Sequence, residues 1–182
     1  MAADIRPARA SDVDALLAIE NAVFSTDRLS RRSFRRLIRR PSAAVLAAEI
    51  GGKVAGYCIL LFRAGNPAAR LYSIATAPDM AGQGVGRTLI EAAERAVVER
   101  GKHSLRLEVR QDNKRAVSIY RRAGFRPAGS KPGYYQDGMT ALRMEKTLAV
   151  AEPAAPGNGK ATFAARGPFS RLAEKIPRRA SR

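Results

Sequence analysis

Tryptophan is absent from this 182-residue chain, and cysteine and histidine occur once each. A single cysteine forms no internal disulfide, and one cysteine with one histidine makes no metal cluster, so no metal is expected. Aromatic residues are only 6% of the chain, which leaves few platforms for stacking nucleic-acid bases. No run of 18 apolar residues occurs, so no membrane-spanning helix and no membrane partner are expected. The opening Met1-Ala2-Ala3-Asp4-Ile5-Arg6-Pro7 has no apolar stretch of the signal-peptide kind, which makes the cytoplasm the expected location. Acidic residues are scarce too, 16 against 33 basic ones, for a net charge of +17. Such an excess suits nucleic acid, ribosomes, anionic lipid or acidic substrates, and also arises from an arginine-favouring composition with a basic tail.

Hydrophobic residues make up 46% of the chain, enough for a real core. Residues 1–148 read as one domain. From Ala149 the composition turns to Ala, Pro, Gly and basic residues, as in Pro153-Ala154-Ala155-Pro156-Gly157. Residues 149–182 therefore read as a linker and basic tail, either disordered or with a short helix near Ser170–Lys175. Seven basic and two acidic residues give this tail +5 of the total charge. Within the domain, Ile5–Ala8 reads as a strand. A helix follows, capped by Ser11, with Leu16, Leu17, Ile19 and Val23 inward. A second helix covers about Ser30–Arg39. Strands Ala44–Glu49 and Val54–Phe62 are joined by Gly51-Gly52, a hairpin signal. Strand Arg70–Thr76, helix Val85–Glu99, strand Leu105–Arg110, helix Asn113–Arg122 and strands Phe125–Pro127 and Thr140–Lys146 complete the order. Alternation of strands and helices after Arg70 predicts a partly parallel sheet, and the early hairpin makes it mixed.

Several residue groups carry possible chemistry. Gly82-Gln83-Gly84-Val85-Gly86-Arg87 lies between a strand and a helix start, where bare backbone N–H groups and the helix dipole can take a phosphate; alone, it is equally a plain turn. On strand Leu105–Arg110, Arg106, Glu108 and Arg110 share one face, which keeps Glu108 ionised; from spacing alone this is a salt-bridged strand face. Tyr120 lies seven residues after Asn113, on the same helix face. By itself it reads as a core tyrosine and Asn113 as a helix cap. Arg28, Arg31, Arg32, Arg35, Arg36, Arg39 and Arg40 recur at helical spacing. That face is either merely solvated or a landing surface for an acidic or ribosomal partner. His103 reads as an exposed loop residue and Cys58 as a small buried hydrophobe.

With Tyr72-Ser73-Ile74-Ala75-Thr76 before the glycine loop, and Leu107-Glu108-Val109-Arg110, Asn113, Ile119-Tyr120 and Gly124-Phe125 after it, the chain resembles the GNAT acyltransferase superfamily over residues 3–148. Within it the chain is most similar to the RimI-type branch, which acetylates protein N-termini. The first position of the loop pattern, usually Gln or Arg, is Ala81 here, and the segment Glu20–Phe34 also departs from the branch. The resemblance implies an α/β fold with a mixed, mostly antiparallel sheet, a splayed parallel pair at the acetyl-CoA site, and about four flanking helices. It implies acetyl-CoA as cosubstrate, held by Gly82, Gln83, Gly84, Val85, Gly86 and Arg87 at its phosphates. The main chain of Ile74, Ala75 and Thr76, with Asn113, takes the pantetheine arm. It further implies Glu108 as proton acceptor, Tyr120 as proton donor to the leaving thiolate, and Tyr134 and Tyr135 on the acceptor side. The expected reaction is acetyl transfer to a primary amine, most simply a protein or peptide N-terminus. The competing expectations are a small-molecule amine acetyltransferase and a basic ribosome- or nucleic-acid-binding protein on the same fold.

Overall fold

The computed structural model describes residues 3–149, so the linker and basic tail read from the sequence lie outside the described residues. The elements run β1 (Asp4–Pro7), α1 (Val13–Val23), α2 (Arg31–Arg39), β2 (Ala43–Ile50), β3 (Lys53–Leu61), β4 (Ala68–Thr76), α3 (Val85–Glu99), β5 (Ser104–Arg110), α4 (Lys114–Arg122), β6 (Arg126–Lys131) and β7 (Ala141–Thr147). The strands form one seven-stranded sheet in the order β1-β2-β3-β4-β5-β7-β6. Every neighbouring pair is antiparallel except β4 and β5, which run parallel. The mixed sheet and the four α-helices match the expected architecture. No helix among the described residues is long and apolar enough to cross a membrane.

The sheet has a core on each face. On one side Cys58, Leu60, Leu71, Leu107 and Val109 pack with Val85, Leu89 and Val97 of α3 and with Val117 of α4. On the other, Val45, Tyr57, Ile59 and Ala75 pack with Leu16 and Ile19 of α1 and Phe34 and Leu37 of α2. Phe34 meets the Tyr57 ring edge-on at 5.4 Å. The helices begin and end where local chemistry demands. Ser30 Oγ accepts from the Ser33 N–H at 3.1 Å to cap α2, while Gly101 and Gly124, at φ +68° and +92°, stop α3 and α4. Gly56 has another task. A Cβ there would lie 2.8 Å from the Ala75 carbonyl oxygen and 2.9 Å from Val85 Cγ1. The missing side chain lets α3 seat directly on β3.

One irregularity shapes the rest. Ile59 of β3 pairs with Ser73, and Leu60 pairs with Leu71, which leaves Tyr72 as an extra residue in β4. This β-bulge bends the strand. The parallel pairing of β4 with β5 covers only Ala68–Leu71 against Ser104–Leu107 and stops there. Beyond that point the two strands separate, as the resemblance implied.

Two local expectations are corrected. Ser11 does not cap α1: it lies in a short 3₁₀ turn, Ala10–Asp12, ahead of the helix. Asp12 Oδ2 accepts from the Arg9 N–H at 2.7 Å while Arg6 holds the same carboxylate at 2.7 Å. A charged acceptor paired with a guanidinium is stronger than a hydroxyl. Val23 is 42% exposed rather than inward. It is the last residue of α1, and the chain turns out into extended Phe24, so the buried stripe ends at Glu20.

Candidate active site

The glycine loop opens α3 as the sequence suggested. Gly82 and Gly84 have φ of +83° and +80°, and Gly84 is the helix N-cap with no side chain closing it. The first α3 amides therefore have no capping acceptor. Gly86 is not in the left-handed region, and a Cβ there would meet only Thr76 Oγ1 at 3.6 Å. Side chains at Gly82 and Gly84 would meet nothing within 4 Å. The loop is thus a bare, open backbone cradle at a helix start. Within it Val85 is 1% exposed, so its side chain belongs to the core and only its backbone faces the cradle. Arg87 pairs with Glu91 at 2.9 Å one turn on, in the solvent. Ile74, Ala75 and Thr76 lie past the bulge. They pair with β3 on one edge, through Cys58, Tyr57 and Gly56, but not with β5 on the other. That open edge points an unpaired row of main-chain groups into the gap.

Glu108 faces away from Leu107 and Val109, on the side of the sheet where β5, β7 and β6 carry charged residues. Its carboxylate is only 8% exposed. The expected partners are corrected here. Arg106 pairs with Glu145 at 2.9 Å, and Arg110 pairs with Asp112 and Asp137 at 3.1 and 2.8 Å. Glu108 is held instead by neighbours on other strands: Arg70 Nε at 2.8 Å, Lys131 Nζ at 2.7 Å and, more distantly, Arg143 Nε at 3.9 Å. Cross-strand register, which places Arg143 opposite Glu108, decides this. Burial alone would raise the carboxyl, but the hydrogen bond from Lys131 and the charge of Arg70 outweigh it and hold Glu108 below the usual carboxylate range. It is therefore ionised throughout the neutral range, as expected, though by different cations.

Tyr120 sits on the opposite side of the sheet, packed against the α3–α4 core and edge-on to Phe125 at 5.8 Å. Burial, reinforced by Tyr135 and Cys58 nearby, pushes its phenol above the ordinary value, so it keeps its proton. Asn113 is not in the helix but caps it: its Oδ1 accepts from the Ala116 N–H at 3.0 Å. The side-chain amide oxygen is thus committed to the helix start. Tyr134 and Tyr135, in the β6–β7 loop, meet edge-on at 5.2 Å. The Tyr134 hydroxyl accepts from Arg70, Lys131 Nζ lies 5.0 Å from its ring, and Arg110 lies 5.0 Å from the Tyr135 ring. Burial pushes the Tyr135 phenol up to about 12, with smaller influences that include Glu108 and Asp27 of the α1–α2 connection.

Sequence reading missed Arg70, Lys131 and Arg143, whose role exists only once four strands are in register. It also missed the buried Glu20. Its carboxylate accepts from the Leu29 N–H at 2.5 Å and from the Tyr57 hydroxyl, fastening the α1–α2 connection to the sheet. Partners 37 residues apart leave no local signature. In the arginine stripe, Arg28, Arg32, Arg35, Arg36 and Arg39 are exposed as expected. Arg31 pairs with Asp14, and half-buried Arg40 donates to Ser42 Oγ at 2.7 Å.

A split sheet, a glycine cradle at a helix start, and a phenol and a paired carboxylate on opposite faces thus stand together in one fold. Residues 13–125 match the acetyltransferase (GNAT) family, and the chain belongs to it: it is an N-acetyltransferase. The chain is 33% identical over 147 residues to a Bacillus subtilis protein named as a [ribosomal protein bS18]-alanine N-acetyltransferase, covering 80% of this chain and 96% of that one. The crystal structure of the Escherichia coli ribosomal-protein-S18-alanine N-acetyltransferase superposes with a TM-score of 0.73 at 27% identity, covering 85% of this chain and 99% of that one. A streptothricin acetyltransferase of Streptomyces lavendulae is 34% identical over 112 residues, covering 62% of this chain and 58% of that one. The chain is therefore RimI-like, within a family whose relatives also modify small molecules.

Proposed function

We propose that the protein transfers acetyl from acetyl-CoA to the N-terminal amine of a protein or peptide. The observation that carries this is the placement of Glu108 and Tyr120 on opposite faces of the sheet, joined by the gap that opens where β4 leaves β5 after Leu71. A proton acceptor for the amine and a proton donor for the leaving sulfur belong on opposite sides of the transferred group. The residues present fit acetyl-CoA: the cradle at Gly82–Arg87 is open to a pyrophosphate, and the free edge of Ile74–Thr76 matches the amide-bearing pantetheine arm as an added strand would. When bound, acetyl-CoA supplies an activated acyl thioester.

Tyr120 holds its proton at neutral pH and gives it to the departing thiolate. Burial pushes the neighbouring Cys58 thiol up as well, so this side of the sheet favours the protonated, uncharged form of a sulfur group. Glu108 does not take a proton outright. An N-terminal ammonium has a pKa near 8, roughly four units above a carboxylate, so direct transfer would cost about 5 kcal/mol. Glu108 instead orients the amine and a water that passes the proton to solvent, which suffices because roughly a tenth of such amines are neutral at pH 7. Tyr134 and Tyr135 flank the acceptor. The exposed arginines of α2 serve docking of an acidic or ribosomal partner carrying that acceptor. The test is thiol release from acetyl-CoA with four acceptors: a peptide with a free N-terminus, the same peptide blocked but carrying lysine, a polyamine and a streptothricin-type antibiotic. Turnover confined to the free N-terminus supports the reading. Turnover on the antibiotic or polyamine alone would replace it with the small-molecule one.

A further inference from the structure

The α1–α2 side of the sheet is only half covered. α1 packs on β3 and β4 and α2 on β2, while the β5–β7–β6 half carries half-exposed charged side chains on the same side. Cross-strand pairing sets their order: Arg70 beside Arg106, Arg106 opposite Glu145, Glu108 opposite Arg143, and Arg126 opposite Glu145. The acids on this face are nearly all spent. Glu145 serves Arg106 at 2.9 Å and the Ser104 hydroxyl at 2.7 Å. Asp112 and Asp137 both serve Arg110. Glu108 has three cations within 4 Å, Arg70, Lys131 and Arg143, the last of which also acts on Glu145. Arg143 reaches it only at 3.9 Å, and the Arg143 side chain is 38% exposed. Arg126 has no carboxylate within ion-pair distance among the described residues. Asp27 is the one acid of the α1–α2 connection, residues 24–30, and its charge acts on Tyr135.

A carboxylate needs no cation to ionise at neutral pH, so Arg70, Lys131 and Arg143 within 4 Å of Glu108 leave a local surplus of positive charge. These cations repel one another, an arrangement that an added anion relieves. We propose that this anion comes with the substrate: the residues that follow the acetylated amine are acidic and lie on the platform of Arg70, Arg126, Lys131 and Arg143. The proposal rests on the peptide-acetyltransferase reading above and names its substrate class. Planar guanidinium donors left open suit carboxylates in particular. A basic acceptor segment is disfavoured by the same charges, and the net charge of +12 on residues 1–148, the chain's +17 less the +5 of the tail, deepens that bias. The surplus also favours the reaction directly, because positive neighbours lower the pKa of an incoming ammonium and raise its neutral fraction.

The test compares three synthetic peptides with one N-terminal residue, followed by three aspartates, three serines or three lysines, on the full chain with saturating acetyl-CoA. The expected order of kcat/KM is acidic over neutral by at least roughly tenfold and neutral over basic by a similar factor, shrinking several-fold between about 0.05 and 0.5 M salt as screening shortens the Debye length. Arg143→Gln and Lys131→Gln, with acetyl-CoA affinity by calorimetry as the folding control, should reduce the acidic-to-neutral ratio, mostly through KM. Equal rates for the three peptides, or a preference for lysines, overturn the proposal while leaving the peptide reading intact. Acetylation of small amines with none of any peptide overturns the peptide reading and the proposal together. Strong inhibition by an RNA hairpin without a peptide preference assigns the platform to nucleic acid and overturns it as well.

Discussion

Gly86 separates what the fold needs from what a bound phosphate needs. It is the second residue of α3, its φ lies outside the left-handed region, and a Cβ added to it meets only Thr76 Oγ1 at 3.6 Å, an ordinary contact. Nothing in the protein itself calls for glycine there. Gly86→Ala should therefore stabilise the fold by about 0.5–1 kcal/mol, through better helix propensity and a less flexible unfolded chain. That corresponds to a rise in Tm of roughly 1–4 °C for a chain of this size. If a pyrophosphate packs on the bare backbone, the same methyl intrudes on it, and overpacking costs about 1–3 kcal/mol, or roughly 5- to 150-fold in affinity. Gly86→Asp adds charge. Two unit charges about 5 Å apart repel by about 1 kcal/mol in water and about 3 kcal/mol at an effective dielectric of 20. Yet an acid in the first turn favours the helix, so stability should hold. Scanning calorimetry reads Tm and titration calorimetry reads acetyl-CoA binding. The expected result is opposite signs: Tm equal or higher, affinity lower, with Asp worse than Ala. Unchanged affinity in both variants would refute the cradle as the phosphate site, and a lower Tm for Gly86→Ala would refute the packing argument.

Gly56→Ala should act the other way, losing about 1–3 kcal/mol on thermal denaturation because its Cβ would stand 2.8 Å from a carbonyl and 2.9 Å from Val85; an unchanged Tm contradicts this. Glu108→Gln and Tyr120→Phe should each lower kcat by about 10²–10⁴-fold while acetyl-CoA affinity stays the same. Because Glu108 is held below the usual carboxylate range, it stays ionised across the assay range, so wild-type rates should rise with pH as the amine loses its proton. The Glu108→Gln defect should then shrink above about pH 8, and wild-type rates in both variants at every pH would remove their roles. Cys58, buried with its thiol pushed up to about 12, should resist a disulfide reagent in native buffer and react fully in denaturant; fast native labelling would show that α3 opens. A chain ending at Leu148 should keep its Tm and its rate on a short peptide, as the domain reading of residues 1–148 requires, and a large loss of either would show that the tail supports the domain.

Local signals carried much of the fold. The glycine loop with α3 behind it, the Gly51-Gly52 hairpin and the strict alternation of Leu105–Arg110 each depend on residues close in sequence, and each appears where the sequence placed it. What depended on register did not come through. Alternation correctly put Arg106, Glu108 and Arg110 on one face, but apart from the local Arg110–Asp112 pair their partners come from β4, β6, β7 and the β6–β7 loop, more than 20 residues away. Glu20 carries no local sign of its role, because Tyr57 and Leu29 meet it only in three dimensions. Asn113 shows the converse: the ordinary reading, a helix cap, is the contact the structure makes.

The bulge at Tyr72 ties these levels together. With regular alternation, Leu71, Ser73 and Ala75 would share a face of the sheet. Instead Leu71 packs in the α3–α4 core, while Ala75 packs in the α1–α2 core and Ser73 lies within 3.3 Å of the Tyr57 hydroxyl on that side. The extra residue lets β4 change its commitments between one turn of the chain and the next. Pairing with β5 ends at Leu71 and Leu107, one residue before the bulge and one before Glu108. Main-chain groups that a continuous ladder would consume are thereby left for a ligand. The same opening sets Glu108 at its rim on one face and leaves Tyr120 on the other. A sheet without the extra residue could continue its ladder toward Thr76 and Arg110, closing the gap between Glu108 and Tyr120. The geometry proposed for catalysis is therefore a property of strand register, and a single inserted residue supplies it.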